Sequence, residues 1–252
     1  MEDKSTKLFY ILGSFFIANA LLAEFIGVKI FSLEKTLGFD PMNLSLLGID
    51  NLSFNLTAGT LLWPIVFIMT DIINEYYGKR GVRFLSLTAA ALILYSFLMI
   101  FAAVALVPAE FWVIRDTPGG KVNMDISYNV IFGQGMWIIL GSLSAFLIGQ
   151  IIDVFVFHII KVKTGAKKIW LRSTGSTLVS QFIDSFVVLF IAFYLGANWN
   201  LTTVIAIGIV NYIYKFLIAV ILTPILYVIH FIVDRYLGKE MAHKLILSAI
   251  NK

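Results

Sequence analysis

Apolar residues run along this chain in stretches long enough to cross a bilayer, broken by short polar connections. Six such stretches cover about 8–30, 59–77, 82–107, 136–160, 171–195 and 202–231. In lipid the backbone must satisfy its own hydrogen bonds, so spans of this length read as helices. The pattern predicts an all-α integral membrane protein: a six-transmembrane-helix bundle making one membrane domain over residues 1–252. The first stretch reads as a span and not a cleaved signal, because it is long, carries Asn19 and Glu24, and lacks a small-residue cleavage site. Pro64 and Pro224 fall inside the second and sixth spans, where kinks are tolerated.

Charge supplies a direction. With the N-terminus inside, the inner segments hold Lys4, Lys7, Lys79, Arg80, Arg83, Lys161, Lys163, Lys167, Lys168, Arg235, Lys239, Lys244 and Lys252. The outer segments hold only Lys29, Lys35, Arg115 and Lys121. Cations concentrate on the cytoplasmic side of membrane proteins, so both termini are expected to be cytoplasmic. The excess of 19 Lys+Arg over 15 Asp+Glu is thus a topology signal, and no nucleic-acid partner is called for. Trp112, Trp137 and Trp199 then fall near the outer interface, and Trp170, Tyr76 and Tyr77 near the inner one, as amphipathic rings prefer. Residues 31–58 form a long outer segment with turn formers at Asp40-Pro41, Gly48 and Asp50-Asn51. They predict a folded outer loop on the mouth of the bundle, serving either as a lid or as packing. A second outer loop spans 108–130.

Composition narrows the chemistry. Apolar residues make up 60% of the 252 and charged residues 13%, which excludes an ordinary soluble domain. There is no cysteine, hence no disulfide, thiolate metal site or cysteine nucleophile. His158, His230 and His243 lack metal-ligand spacing. G-x-x-x-x-G-K-[ST], H-E-x-x-H and G-x-S-x-G are all absent, so neither ATP hydrolysis nor a common hydrolase is indicated. The reading is a non-enzyme needing no cofactor and no metal.

Polar side chains inside the spans carry the functional signal, because a charge at mid-bilayer costs about 2.5–3.5 kcal/mol on insertion scales and usually faces a cavity or a partner. Asp71, Asn74 and Glu75 share one face of the second span. The fifth span carries Ser173, Thr177, Ser180, Gln181 and Asp184 at helical period, and the sixth carries Asn211 and Lys215. Asn19, Glu24, Gln150 and Asp153 add to the set. The five embedded acids outnumber Arg172 and Lys215, so three carboxyls must be protonated, bind a cation or hydrogen-bond a ligand. Each group also has a structural reading. Asp153 continues the small-residue line Gly141, Ala145, Gly149 and can tie two helices. That line packs within one chain or between two, which leaves a homodimer open. Glu75 can pair with Arg172, and Lys215 with Asp184. Carboxylates facing carboxamides suit the edge of a heterocycle with several N–H donors and carbonyl acceptors, and 22 Phe, 10 Tyr and 5 Trp can stack on its face.

Three segments, AGTLLWPIVFIMTDIINEYYGKR (58–80), RSTGSTLVSQFIDS (172–185) and NYIYKFLIAVILTPILY (211–227), resemble the queuosine precursor transporter family, also described as vitamin uptake transporters. That family is similar to the six-helix substrate-binding subunits of energy-coupling-factor transporters. The resemblance implies uptake across the bacterial inner membrane, without an obligatory ATPase partner, of a 7-deazaguanine such as preQ0 or preQ1, or of queuine, for tRNA modification. The alternative is a binding subunit that needs a separate ATPase module. Carried onto this chain, the implied substrate-binding residues are Asp71, Asn74, Glu75, Arg172, Gln181, Asp184, Asn211 and Lys215. Glu24, Asn19 and Asp153 are left to proton coupling or to structure.

Overall fold

The computed structural model describes residues 4–133, 135–164 and 168–250. Lys167 and Lys252, counted above among the inner cations, lie outside these residues. Among the described residues five stretches are long and apolar enough to cross a membrane: Lys4–Ile26, Trp63–Val104, Met124–Thr164, Ile169–Leu195 and Leu201–Leu237. Leu98, Phe155, Ile221 and many other large apolar side chains point outward, as a lipid-facing bundle requires.

Helix α1 (Lys4–Ile26) ends before the expected limit of the first span, because Ile30 already belongs to strand β1 (Ile30–Ser32). A single turn, α2 (Leu33–Thr36), and strands β2 (Leu44–Leu46), β3 (Ile49–Leu52) and β4 (Asn55–Thr57) follow. β1 pairs antiparallel with β4, and β2 with β3. Leu47 and Gly48 turn the inner hairpin, both at positive φ (55° and 78°), the backbone of a tight two-residue loop. Glu34 clamps this unit: its carboxylate accepts the Phe54 N–H at 2.8 Å and the Ser32 hydroxyl at 3.2 Å. Desolvation pushes the Glu34 carboxyl up, but these hydrogen bonds outweigh it and hold the group below its ordinary value.

A 3₁₀ turn (Ala58–Leu61) leads into α3 (Trp63–Val104). Pro64 occupies its first turn, where no N–H is lost, and so begins the helix instead of interrupting it. The 42 residues of α3 would run about 63 Å if straight, twice a hydrocarbon core. They fold back at Gly78 instead (φ 72°, ψ −175°), in a region essentially reserved for glycine. Thr70 and Ser86 would be about 24 Å apart on a straight helix, yet both donate to Oε1 of Gln150 at 3.2 Å. The two limbs therefore lie side by side, and they correspond to the second and third predicted stretches.

Helix α4 (Glu110–Val113), the hairpin β5 (Ile114–Thr117) with β6 (Gly120–Asn123), and α5 (Met124–Phe132) fill the connection to α6 (Met136–Thr164). α7 (Ile169–Leu189) continues as a π-helical stretch, Phe190–Leu195, before α8 (Leu201–Leu237) and α9 (Lys239–Ile250). α9, which the apolar pattern did not reveal, packs against α3 and α8. Phe16 and Ala20 of α1, Val66, Ile72, Val82 and Ala89 of α3, Phe146 of α6 and Leu226 of α8 belong to one core. The line Gly141, Ala145, Gly149 packs against α7 of the same chain: a Cβ on Gly141 would stand 3.0 Å from the Val188 carbonyl oxygen. Both ends of the described chain meet the Gly78 turn. The Tyr77 hydroxyl donates to Ser5 O at 2.7 Å, Lys4 Nζ to Tyr236 O at 3.4 Å, and Ala249 abuts Gly78.

Two residues assigned to the inner boundary are interior instead. Lys161 is buried on α6, because that helix runs on to Thr164. Tyr76, expected as an interfacial ring, is also buried. Its hydroxyl donates to Asp234 Oδ1 at 2.6 Å and lies 3.0 Å from His230 Nδ1. One hydroxyl proton cannot serve both, so His230 donates through Nδ1–H.

Candidate functional site

All five embedded acids have partners, and the partners fall into two kinds. Glu75 takes a cation pair: Arg172 meets it in a fork, Nε to Oε2 at 3.0 Å and an Nη to Oε1 at 2.7 Å. Lys161 adds its ammonium 3.3 Å from Oε2. Arg172 and Glu75 are each 1% exposed, and a fork geometry suits a desolvated pair better than a single contact. Asp184 pairs with Lys215 across α7 and α8. The other three acids meet serine hydroxyls instead of cations. Ser142 faces both oxygens of Glu24 at 2.5 and 2.7 Å, Ser173 donates to Asp71 Oδ2, and Ser180 donates to Asp153 Oδ1 at 3.2 Å. The three carboxyls without a cation partner are thus the three that the bundle equips with hydroxyls, although buried Lys161 cuts the surplus of embedded acids from three to two.

One of them opens onto a cavity that is partly continuous with the outside. The first limb of α3 contributes Trp63, Pro64, Phe67, Ile68 and Asp71, with Thr60 from the preceding turn. α7 contributes Ser173, Thr174, Thr177 and Gln181. α8 contributes Tyr214, Lys215 and, at helical spacing, Ile218, Ala219, Leu222, Thr223 and Leu226. Two buried atoms on this wall lack a hydrogen-bond partner among the described residues: Asp71 Oδ1, an acceptor, and Gln181 Nε2, a donor. Buried polar groups are nearly always paired, so an unmet acceptor and an unmet donor on one cavity define what a ligand must present. It needs an N–H for the carboxyl and a carbonyl or ring nitrogen for the amide. Trp63, Phe67 and Tyr214 supply ring surface beside them.

Of the substrate-binding residues named from the sequence, Asp71, Gln181 and Lys215 line the cavity, and Asp184 sits behind Lys215. Asn74, Glu75, Arg172 and Asn211 do not line it. Asn74 is buried one turn from Asp71, its Nδ2 unmet among the described residues, and Asn211 is half-buried one turn before Lys215. Asn19 donates back to Phe15 O at 2.8 Å within its own helix. Asp153 ties α6 to α7 through Ser180, and Glu24 ties α1 to α6 through Ser142. No residue of 31–58 lines the cavity, although β3 touches α8.

Sequence reasoning missed Lys161, although it stands on the four-residue line Gly141, Ala145, Gly149, Asp153, Phe157, Lys161, all of them buried. Continuing that line two steps would have placed it inside. It also passed over Trp63, Tyr214 and Ser142, and no local signal separates these from the chain's other aromatics and serines.

A family model described as "Putative vitamin uptake transporter" matches residues 57–229, a range that contains every residue of the cavity wall. The chain is 31% identical over 181 residues to a "Probable queuosine precursor transporter" of Bacillus subtilis, covering 69% of this chain and 72% of that protein. It is 28% identical over 186 residues to the protein of the same name in Haemophilus influenzae, covering 72% and 71%. Against the "Queuosine precursor transporter" of Escherichia coli it is 26% identical over 184 residues, covering 69% and 72%. No solved structure matches the chain significantly.

Proposed function

The chain belongs to the vitamin uptake transporter family, multi-pass membrane transporters and not enzymes, and on that premise we propose that it carries a queuosine precursor across the bacterial inner membrane. The cargo is a 7-deazaguanine such as preQ0 or preQ1, or queuine. The single observation that carries this reading is the pairing of an unmet carboxyl oxygen, Asp71 Oδ1, with an unmet amide donor, Gln181 Nε2, on one cavity wall. A 7-deazaguanine keeps the N1–H and exocyclic amine that a carboxylate accepts, and an O6 that an amide donates to. The aminomethyl cation of preQ1 finds its counter-charge in the same carboxylate.

The carrier alternates access to this cavity, as one domain over 1–252 and without an ATPase of its own. On this reading the chain crosses the membrane six times; that Thr70 and Ser86 of the α3 hairpin both meet Gln150 supports counting its two limbs as separate crossings. Both ends of the described chain lie with the Gly78 turn at one end of the bundle, and the cation distribution in the sequence supports a cytoplasmic side for it.

The test is uptake of radiolabelled preQ1 by cells unable to make queuosine and lacking another carrier. Expression of the chain should restore accumulation, and unchanged uptake would defeat the proposal. Reconstitution of the chain alone in liposomes separates a carrier from a binding subunit. Transport without partners supports the carrier, whereas binding without transport supports the subunit.

A further inference from the structure

The cavity accounts for Asp71 but not for the carboxyl behind it. Asp153, on α6, is fully shielded from solvent. Ser180 serves its Oδ1 at 3.2 Å, while its Oδ2 has no partner among the described residues. From α7 it is faced by the hydroxyls of Ser176 and Ser180. From α3 it is faced by Asp71, close enough for the two carboxyls to repel. The cations on the flanking elements, Arg172 on α7 and Lys161 on Asp153's own helix, are both engaged by Glu75. Asp71, Glu75 and Asp153 thus set three carboxyls against two cations, which leaves one negative charge over. A bare carboxylate out of water is far costlier than a neutral one. Among the described residues no cluster of His, Cys, Asp and Glu is built to hold a metal ion. A proton needs no such cluster, only the unmet Oδ2, and neutralises the extra charge. Polar groups line the space between the two carboxyls: Ser173 donates to Asp71, and Ser176, which donates to the Ser173 carbonyl at 3.1 Å, faces Asp153.

We propose that Asp153 binds a proton that travels with the cargo, so that the chain is a symporter of one proton per purine-like base. This rests on the transport reading above. With the proton on Asp153 Oδ2, Asp71 stays ionised and accepts the cargo's N–H groups. When the cargo leaves, Asp71 loses those donors. The O–H bond on Asp153 then breaks as one forms on Asp71, whose Oδ1 is likewise unmet, and the proton escapes through the open cavity on the side where the cargo left. Glu24 is the other carboxyl without a cation, but both its oxygens face Ser142 and it does not line the cavity.

The experiment uses the chain alone in liposomes, clamped at zero potential with potassium and valinomycin, with labelled preQ0 as an uncharged cargo. Counterflow of labelled against unlabelled preQ0 reads transport itself, and its absence would overturn the transport reading and this one with it. An imposed step of one pH unit, acid outside, should drive about tenfold accumulation, since one unit is worth about 1.4 kcal/mol per proton. In wild-type protein a lumenal pH dye should report acidification when preQ0 is added outside, a measurement that needs no variant. Asp153→Asn should keep counterflow but lose both pH-driven accumulation and acidification, whereas Glu24→Gln keeps all three. Counterflow that ignores the pH step, accumulation driven by a sodium gradient instead, or coupling lost in Glu24→Gln but kept in Asp153→Asn would each overturn the proposal.

Discussion

Replacing Gly78 by alanine tests the α3 hairpin at its weakest point. The residue sits at φ 72°, ψ −175°, where a Cβ costs about 1–3 kcal/mol in backbone strain alone. The new methyl would also stand 3.1 Å from the Ala249 carbonyl oxygen and 3.4–3.5 Å from its Cα and Cβ. Backbone on α9 cannot rotate away as a side chain would, so crowding adds about 1 kcal/mol or more. The expected loss is about 2–4 kcal/mol, or roughly 30- to 700-fold in the folded-to-unfolded ratio. Denaturation of the purified protein in mixed micelles measures it. Gly119→Ala is the control, because a Cβ there meets only the Thr117 hydroxyl at 3.9 Å, and a change at such a surface site should stay within about 0.5 kcal/mol. If Gly78→Ala loses no more than Gly119→Ala, the fold-back and the α9 contact are both wrong as described.

Four further outcomes follow from the same geometry. Asp71→Asn and Gln181→Leu should each weaken preQ1 binding about 10- to 100-fold, the worth of a hydrogen bond to a buried charged or amide group; near-normal affinity in both would move the site elsewhere. Arg172→Met should cost about 3–5 kcal/mol by leaving Glu75 short of a buried partner, while replacing Glu75, Lys161 and Arg172 together by methionine should cost less than that one change. Gly141→Leu should destabilise the monomer by about 1–3 kcal/mol, whereas a shift in mass by light scattering with stability unchanged would mean that the face serves a dimer. The Glu34 carboxyl titrates lower in the folded protein than in the unfolded chain, so its contribution is complete above the unfolded value of about 4.3 and fades as pH falls through the lower folded value. Hydrogen exchange at the Phe54 amide should therefore lose protection in acid in the wild type, relative to Glu34→Gln; identical profiles would refute the clamp.

The apolar stretches were legible because lipid imposes one rule, that a spanning backbone bonds to itself, and that rule acts on local sequence. The polar stripes on the second and fifth spans were legible for a related reason, since helical period places Asp71 with Asn74 and Gln181 with Asp184 before any packing is known. Pairing was not. Whether Glu75 meets Arg172, a cargo or both depends on which helices touch, and Lys161 changed from loop cation to buried partner because α6 kept its period past the apolar stretch. α9 escaped notice because its polar face hides it from any test of continuous apolarity.

The chain by itself thus determined that apolar helices carry this protein in a membrane, which faces of them are polar, and that carboxyls outnumber the cations able to meet them, because each of these depends on neighbours a few residues apart. Only the tertiary structure decided that α3 doubles back at Gly78, that Asp71 and Gln181 share one cavity while Glu75 and Arg172 close on each other, and that serines meet the surplus acids. Those outcomes turn on contacts between residues tens to more than a hundred positions apart, such as Ser142 with Glu24, and no local periodicity encodes which distant group a buried charge will find.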